Sequence, residues 1–333
     1  MGPVPIRRQL TGRLLAAFSA LLLLTACSQT EGTRPAPSRA PAPAPSTTSA
    51  TAPAPELPQP AVYEPVAGEP VPEVKSLAAD LVQTIGTYPI GGGTAEEAAQ
   101  RLGGSLNPSL QQAAMPLLDP AAASSTEIIY PQLGGLTDAE ASVMVVYRQR
   151  LATDTDEREV TRTADVRLTR TPDGWAATAI ASIGGDPPPK PPALSAAARA
   201  VLAAEAIDLP DSARWDIEAG RIDDRVLQLL SRLAEEHTLG VTVLATGHPE
   251  HVFGTASISN HTVGRAVDVW SVDGQPVIAQ RDAGGPLHAL VQQLVDSTAT
   301  TELGSPWDLD GVGRGASFTN TVHQDHLHLA FDG

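Results

Sequence analysis

All eight histidines of the 333-residue chain fall between His237 and His328, and the densest group lies near its end as His323-Gln324-Asp325-His326-Leu327-His328-Leu329. Read as a strand, this segment alternates, so that His326 and His328 share one face while Leu327 and Leu329 point into a core. A second strand-like run, Arg265-Ala266-Val267-Asp268-Val269-Trp270, can set the Asp268 carboxylate on a neighbouring strand facing them. Two imidazoles and one carboxylate form the nitrogen-plus-oxygen donor set of a catalytic zinc site, in which a fourth position stays open. Other divalent ions accept the same donors. The chain has a single Cys, so a four-thiolate zinc site and a disulfide framework are both excluded.

Ser259-Asn260-His261-Thr262-Val263-Gly264-Arg265-Ala266-Val267-Asp268, a Ser-x-His-x-x-Gly-x-Ala-x-Asp pattern, precedes the terminal His-x-His. Together the two motifs resemble the zinc peptidase superfamily that contains D-alanyl-D-alanine carboxypeptidases, penicillin-insensitive murein endopeptidases and hedgehog signalling domains. The His323-x-Asp325-His326-x-His328 ending looks closest to the murein endopeptidases, and the resemblance covers residues 194–333. It implies that His261, Asp268 and His328 ligate Zn2+ and that His326 is a catalytic neighbour. In such enzymes zinc polarises the scissile carbonyl and makes water nucleophilic near neutral pH. A nearby group must take the proton, and Asp325, His326 and His323 compete for that role. Two positions depart from the family pattern. Asp325 stands where the carboxypeptidase branch has Glu, and Thr246-Gly247-His248-Pro249 stands where many relatives have Ser-Gly-Tyr-Arg. His248, which could supply charge or a hydrogen bond, and Trp270 are candidate substrate contacts. His237, His251 and His288 read as structural or solvated. Asp308 and Asp310 lack the further carboxylates of an EF-hand loop.

The scaffold for these residues is legible around them. Val226, Leu229, Leu230 and Leu233 recur with helical spacing over Asp224–Thr238, a helix that Gly240 is expected to end. Val241–Ala245 reads as a buried strand, and Pro286 opens a helix carrying Leu287, Leu290, Val291, Leu294 and Val295. Upstream, Val74 to Ile85 and Ala95 to Leu102 are helix-like. Ser142–Leu151, Glu159–Arg170 and Trp175–Ile183 are β-rich, with Thr171-Pro172-Asp173-Gly174 as a hairpin turn between the last two. Helices followed by an antiparallel meander resemble, in element order, the cone-shaped nuclear-transport-factor-like modules of secreted bacterial proteins. This part has no His or Cys, and its Asp154, Asp156 and Glu157 read as solvated loop charge. The fold class expected is α+β in two domains, 73–185 accessory and 194–333 zinc-peptidase-like, joined by a Pro-rich linker over 186–193.

Residues 1–26 carry Arg7, Arg8 and Arg13 and then an apolar run from Leu14 to Leu24, the order of a secretory signal. That run is shorter than the roughly 20 apolar residues of a membrane span. Leu24-Thr25-Ala26 before Cys27 resembles a bacterial lipobox, which implies lipidation of Cys27. Residues 27–72, rich in Ala and Pro, read as a disordered tether able to reach about 100 Å. With 38 acidic against 22 basic residues the net charge is −16, which argues against nucleic-acid binding and against charge-driven adhesion to anionic lipid. The lipid anchor would therefore be the membrane attachment. The expected protein is an exported zinc metallopeptidase, lipid-anchored to the outer face of the bacterial cell membrane and hydrolysing peptidoglycan stem peptides. Two alternatives remain beside it. One is a catalytically inactive zinc-containing lipoprotein that binds cell wall or protein, and the other is a metal-free lipoprotein whose 73–185 domain engages a protein partner.

Overall fold

A computed structural model describes residues 57–104, 107–311, 313 and 315–333 of the chain. The expected signal segment 1–26, the Cys27 lipidation site and the tether up to residue 56 lie outside these residues. No described helix is long and apolar enough to cross a membrane. The fold is mixed α/β with two sheets, consistent with the α+β class.

The N-terminal half starts with helix α1 (Pro72–Gly86), opened by Pro72 at its first turn, followed by α2 (Ala95–Arg101) and α3 (Pro108–Ala114). Val74, Ala78, Val82 and Ile85 line one buried stripe of α1. They lie against a four-stranded antiparallel meander: β1 (Ala123–Leu136), β2 (Glu140–Ala152), β3 (Glu157–Thr171) and β4 (Gly174–Ser182), in that spatial order. Val143, Val145, Tyr147, Val166 and Leu168 complete this core. The Thr171–Gly174 hairpin forms as its turn residues dictate, with Gly174 at a φ of +123° that only glycine adopts freely. Strand β1 is an edge strand, which is why Pro131 is tolerated within it: its missing N–H leaves no ladder partner unpaired.

The stretch read as tether up to residue 72 is anchored where it is described. The Pro58 and Ala61 carbonyls accept hydrogen bonds from Ser125 and Gln83, and the Glu69 side chain is buried. The described folded part therefore includes Pro58 and Ala61, well before Glu73. Composition hid this because the anchoring is through backbone carbonyls, which every residue carries.

The C-terminal half contains α4 (Ala196–Ala203), β5 (Ile207–Asp208), α5 (Asp211–Glu218), α6 (Asp224–Leu233), β6 (Leu239–Val243), β7 (Ala266–Val272), β8 (Gln275–Pro276), α7 (Pro286–Asp296), β9 (Glu302–Gly304), β10 (Ser317–Phe318) and β11 (Leu327–Ala330). Its sheet runs β10-β9-β11-β7-β6-β5, with β8 added to β7. Val226, Leu229 and Leu230 of α6 and Leu287 and Val291 of α7 cover Val241, Val267, Val269, Leu327 and Leu329 of the sheet. Helix α6 stops at Leu233, and Gly240, the expected helix end, instead lies inside β6. A Cβ there would sit 2.8 Å from the Trp270 Nε1, so the glycine serves close strand packing.

The two cores belong to one unit spanning Ala52–Gly333. Between them runs a polar seam. Tyr130 of β1 stacks on Trp270 of β7 with centroids 5.0 Å apart, and Thr163 of β3 donates to the Thr242 carbonyl of β6 at 2.6 Å. The Thr161 N–H donates to the Asp211 carboxylate at the start of α5 (2.8 Å).

Candidate metal centre

The register of β11 against β7 pairs His328 with Asp268, so their side chains share one face while Leu327, Leu329, Val267 and Val269 fill the core on the other. His261 arrives from the turn before β7. The Ser259 hydroxyl accepts the His261 N–H, and Gly264 closes the turn at a φ of +71°. A Cβ on Gly264 would meet the Arg221 carbonyl at 1.9 Å, which explains the glycine of the motif physically.

Three donor atoms converge. His261 Nε2 lies 3.1 Å from Asp268 Oδ1 and 3.2 Å from His328 Nδ1, and His328 Nδ1 lies 2.9 Å from Asp268 Oδ1. Tetrahedral ligands about 2.0–2.1 Å from a zinc ion stand about 3.3 Å from one another, close to this triangle. The outer partners suit the same purpose. His261 Nδ1 donates to the Leu244 carbonyl (2.8 Å), which fixes the tautomer with a lone pair on Nε2. His328 Nε2 lies 3.9 Å from Glu302, which in turn accepts from Asn260 at 2.8 Å. The donor set thus fits a divalent cation such as zinc.

The electrostatics point the same way. Burial opposes ionisation of Asp268, yet His261 and His326 beside it outweigh burial and hold its carboxyl well below the usual range. Burial likewise opposes charge on His328, but its hydrogen bond to Asp268 and the nearby Glu302 carboxylate raise its pKa to about 9. The spot therefore attracts a positive charge, for which a proton and a divalent cation compete.

His248 extends the cluster, since ligand atoms of His248, His261 and Asp268 all lie within 4.8 Å of one another and could hold a metal ion. Its ring stacks on His261 with centroids 4.0 Å apart and planes 15° apart. The His328 ring is instead tilted 53° to His261, with its Nδ1 3.2 Å from His261 Nε2, so His248 and His328 are alternative nitrogen donors beside His261 and Asp268. Burial and the neighbouring His261 push the His248 pKa well down, so it supplies no positive charge, and its Nδ1 donates to the Pro249 carbonyl (2.7 Å).

Asp325 is not free to act as a base in the way its position in the motif suggests. It is fully buried, pairs with Lys75 of α1 at 2.5 Å, accepts the Leu133 N–H at 2.9 Å and accepts His326 Nδ1–H at 2.7 Å. Burial raises its pKa, but Lys75 and His326 outweigh that and keep it ionised. Lys75 also bonds Glu69, whose other oxygen accepts the Tyr130 hydroxyl at 2.9 Å. Asp325 therefore orients His326, whose Nε2 is left facing the cluster, 3.8 Å from Asp268 Oδ2. His323 sits on the 3-10 turn Val322–Gln324, its Nδ1 2.9 Å from Asn320 Oδ1 and its ring edge-on to Phe318. Burial and the neighbouring His326 and His328 keep it neutral.

A cleft of about 200 Å³ opens beside the cluster, its lining including His323, His326 and His328 together with Leu133, Met144 and Phe253. Leu133 and Met144 belong to the N-terminal half. Trp270 is not among its walls, because strand alternation turns it with Asp268 toward β1, where Tyr130 covers it. His237 pairs with Asp273 (2.9 Å) and His288 sits edge-on to Trp307, both in structural roles.

Sequence reading missed Gln132, Lys75 and Glu69, which all come from outside residues 194–333. Gln132 Nε2 donates to Asp268 Oδ2 at 2.7 Å. The run Thr126-Glu127-Ile128-Ile129-Tyr130 carried a strand signal that Pro131, Gly134 and Gly135 masked. Comparison of the chain with protein-family models, with curated proteins and with solved structures finds no match, so the functional reading rests on the motifs and on this geometry.

Proposed function

We propose that the protein is a zinc-dependent hydrolase of peptide bonds, acting on peptidoglycan stem peptides from a lipid anchor at Cys27. The observation that carries the metal reading is the convergence of His261 Nε2, Asp268 Oδ1 and His328 Nδ1, with Asp268 and His328 lining a cleft. The resemblance of the two motifs to zinc peptidases supports the reaction class, and a tethered exported chain suits an insoluble substrate beyond the membrane. Bound there, zinc would act as a Lewis acid on a carbonyl and supply a nucleophilic water near neutral pH.

The chain's own groups have distinct tasks in this scheme. His326, held by Asp325 through Nδ1, presents Nε2 to the reacting centre, where it can take a proton or hydrogen-bond a developing oxyanion. Asp325 stays ionised beside Lys75 and fixes the His326 tautomer, the positioning role of a buried carboxylate behind a histidine. His323, neutral and beside His326 (centroids 5.0 Å apart), can accept a hydrogen bond from substrate. Leu133, Met144 and Phe253 give the cleft an apolar wall for the small aliphatic side chains of such peptides.

The locking of Asp325 also favours a second reading, a zinc-containing module that binds cell-wall peptide without cutting it. Mass spectrometry of muropeptides incubated with the full chain separates the two. New fragments that require zinc and vanish in His328→Ala establish hydrolysis. Intact muropeptides beside a stoichiometric zinc content abandon the enzyme for the binding module, and absence of zinc abandons both.

A further inference from the structure

We infer that the N-terminal half is a working part of the metal centre, with Gln132 of β1 as the positioning residue for Asp268. This rests on the reading of His261, Asp268 and His328 as metal ligands. Asp268 divides its two oxygens between two directions. Oδ1 faces His261 and His328, while Oδ2 receives the Gln132 amide at 2.7 Å from the opposite half of the molecule. A carboxylate with one oxygen pinned from behind presents the other at a fixed angle, which is what an outer-shell partner does for a metal ligand.

The amide orientation is forced, since turning it over would set a carbonyl oxygen against a carboxylate oxygen, two acceptors with no proton between them. That orientation leaves Gln132 Oε1 buried with no partner, although Gln132 is completely enclosed. A buried amide with half its capacity unused is a liability for folding, and an apolar side chain of the same volume would fill the position at lower cost. The polar residue is accounted for by what it does to Asp268.

The strand that carries it is fastened on both sides of the contact. Two residues earlier, Tyr130 stacks on Trp270 and donates to Glu69, and one residue later the Leu133 N–H donates to Asp325. Tyr130 and Gln132 therefore run beside Trp270 and Asp268 as matched pairs along β1 and β7. The same strand edge that holds a ligand also holds the carboxylate behind His326.

The test measures zinc affinity of the full chain by competition with a chromophoric chelator, without reference to catalysis. Gln132→Met keeps the volume and removes the donor, and Gln132→Leu removes it with a stiffer apolar side chain. Gln149→Met is the control: Gln149 is equally buried in the same sheet, bonded to the Leu117 carbonyl and Ser124, and remote from the site. Each Gln132 variant is expected to bind zinc about 10–100-fold more weakly than wild type. Gln149→Met is expected to lose stability while keeping wild-type affinity. A folded Gln132 variant with wild-type affinity overturns the inference and leaves the metal reading standing, as does an equal loss in Gln149→Met. A wild-type chain that retains no zinc overturns the metal reading and this inference together. Should Gln132→Met not fold, Gln132→Leu decides.

Discussion

The two aliphatic cores and the seam between them obey opposite rules. Each core is a set of interchangeable methyl and methylene contacts, Val82 and Ile85 on Val143 and Val145 in one, Leu229 and Leu230 on Val241 and Val267 in the other. The seam gathers Glu69, Lys75, Gln132, Thr163, Asp268, Asp325 and His326, all buried and each bound to a specific partner. A core tolerates approximate shape, while in a buried polar seam each lost partner leaves a polar group unpaired at a cost. The candidate metal centre adjoins the seam, where charged groups are held at fixed distances away from water.

The difference can be broken most directly at Lys75. Lys75→Met leaves the Glu69 and Asp325 carboxylates buried without their cation, and loss of one partner of a buried pair costs about 3–5 kcal/mol. Urea denaturation should show that loss, together with weaker catalysis through the released His326. A cost under about 1 kcal/mol would mean that water enters the seam and that it is no different from the surface. Leu229→Ala in the C-terminal core is the counterpart, expected to cost about 2–5 kcal/mol by leaving a cavity. It should leave zinc affinity unchanged, and a parallel loss of affinity would erase the distinction between core and seam.

The same contrast explains what was legible in the sequence. Helices α1, α6 and α7 and strands β2, β3 and β4 announced themselves through apolar period and turn residues, because burial against one face writes a repeating pattern. The Asp268 and His328 pairing followed from strand alternation, and the His261 motif carried its own glycine. Gln132 and Lys75 wrote no pattern. Each is a single polar residue whose partner lies 136 or 250 positions away, and neither lies in a segment with a chemical motif. The expectation that 73–185 is an accessory domain failed to anticipate these contacts for that reason. Trp270 was misread by the same omission, since nothing in residues 194–333 says that Tyr130 covers it.

Zinc should stabilise the seam and not the cores as separate units. With free zinc at 100 times its dissociation constant, mass action adds about 2.7 kcal/mol to unfolding. The melting temperature should fall on chelation and recover on adding zinc, and Leu229→Ala should keep the same increment from a lower starting point. An apo protein as stable as the zinc-loaded one would count against the site. Gly264→Ala follows with a smaller cost: its φ of +71° and the approach of the Arg221 carbonyl impose strain of about 1–3 kcal/mol. That strain falls on the turn carrying His261, so zinc affinity should drop with it.

The smallest effect expected lies outside the seam, where pairing is exposed and replaceable. Asp223 caps α6 by accepting the Arg225 N–H at 2.9 Å, and its backbone N–H holds the Gly264 carbonyl at 2.8 Å. Asp223→Ala should cost about 0.5–1 kcal/mol through the lost cap, with zinc affinity intact because the backbone contact survives. Hydrogen bonding to Arg225 holds the Asp223 carboxyl below its usual range. A carboxyl depressed in the folded state contributes stability above its unfolded pKa of about 3.9 and loses it as pH falls through the folded value. Asp223→Asn, which keeps the cap and removes the charge, should therefore be slightly less stable than wild type at pH 7, and the gap should close as the pH is lowered through that range. A gap that persists at the lowest pH would show that shape rather than charge governs the exposed cap, as it governs the cores.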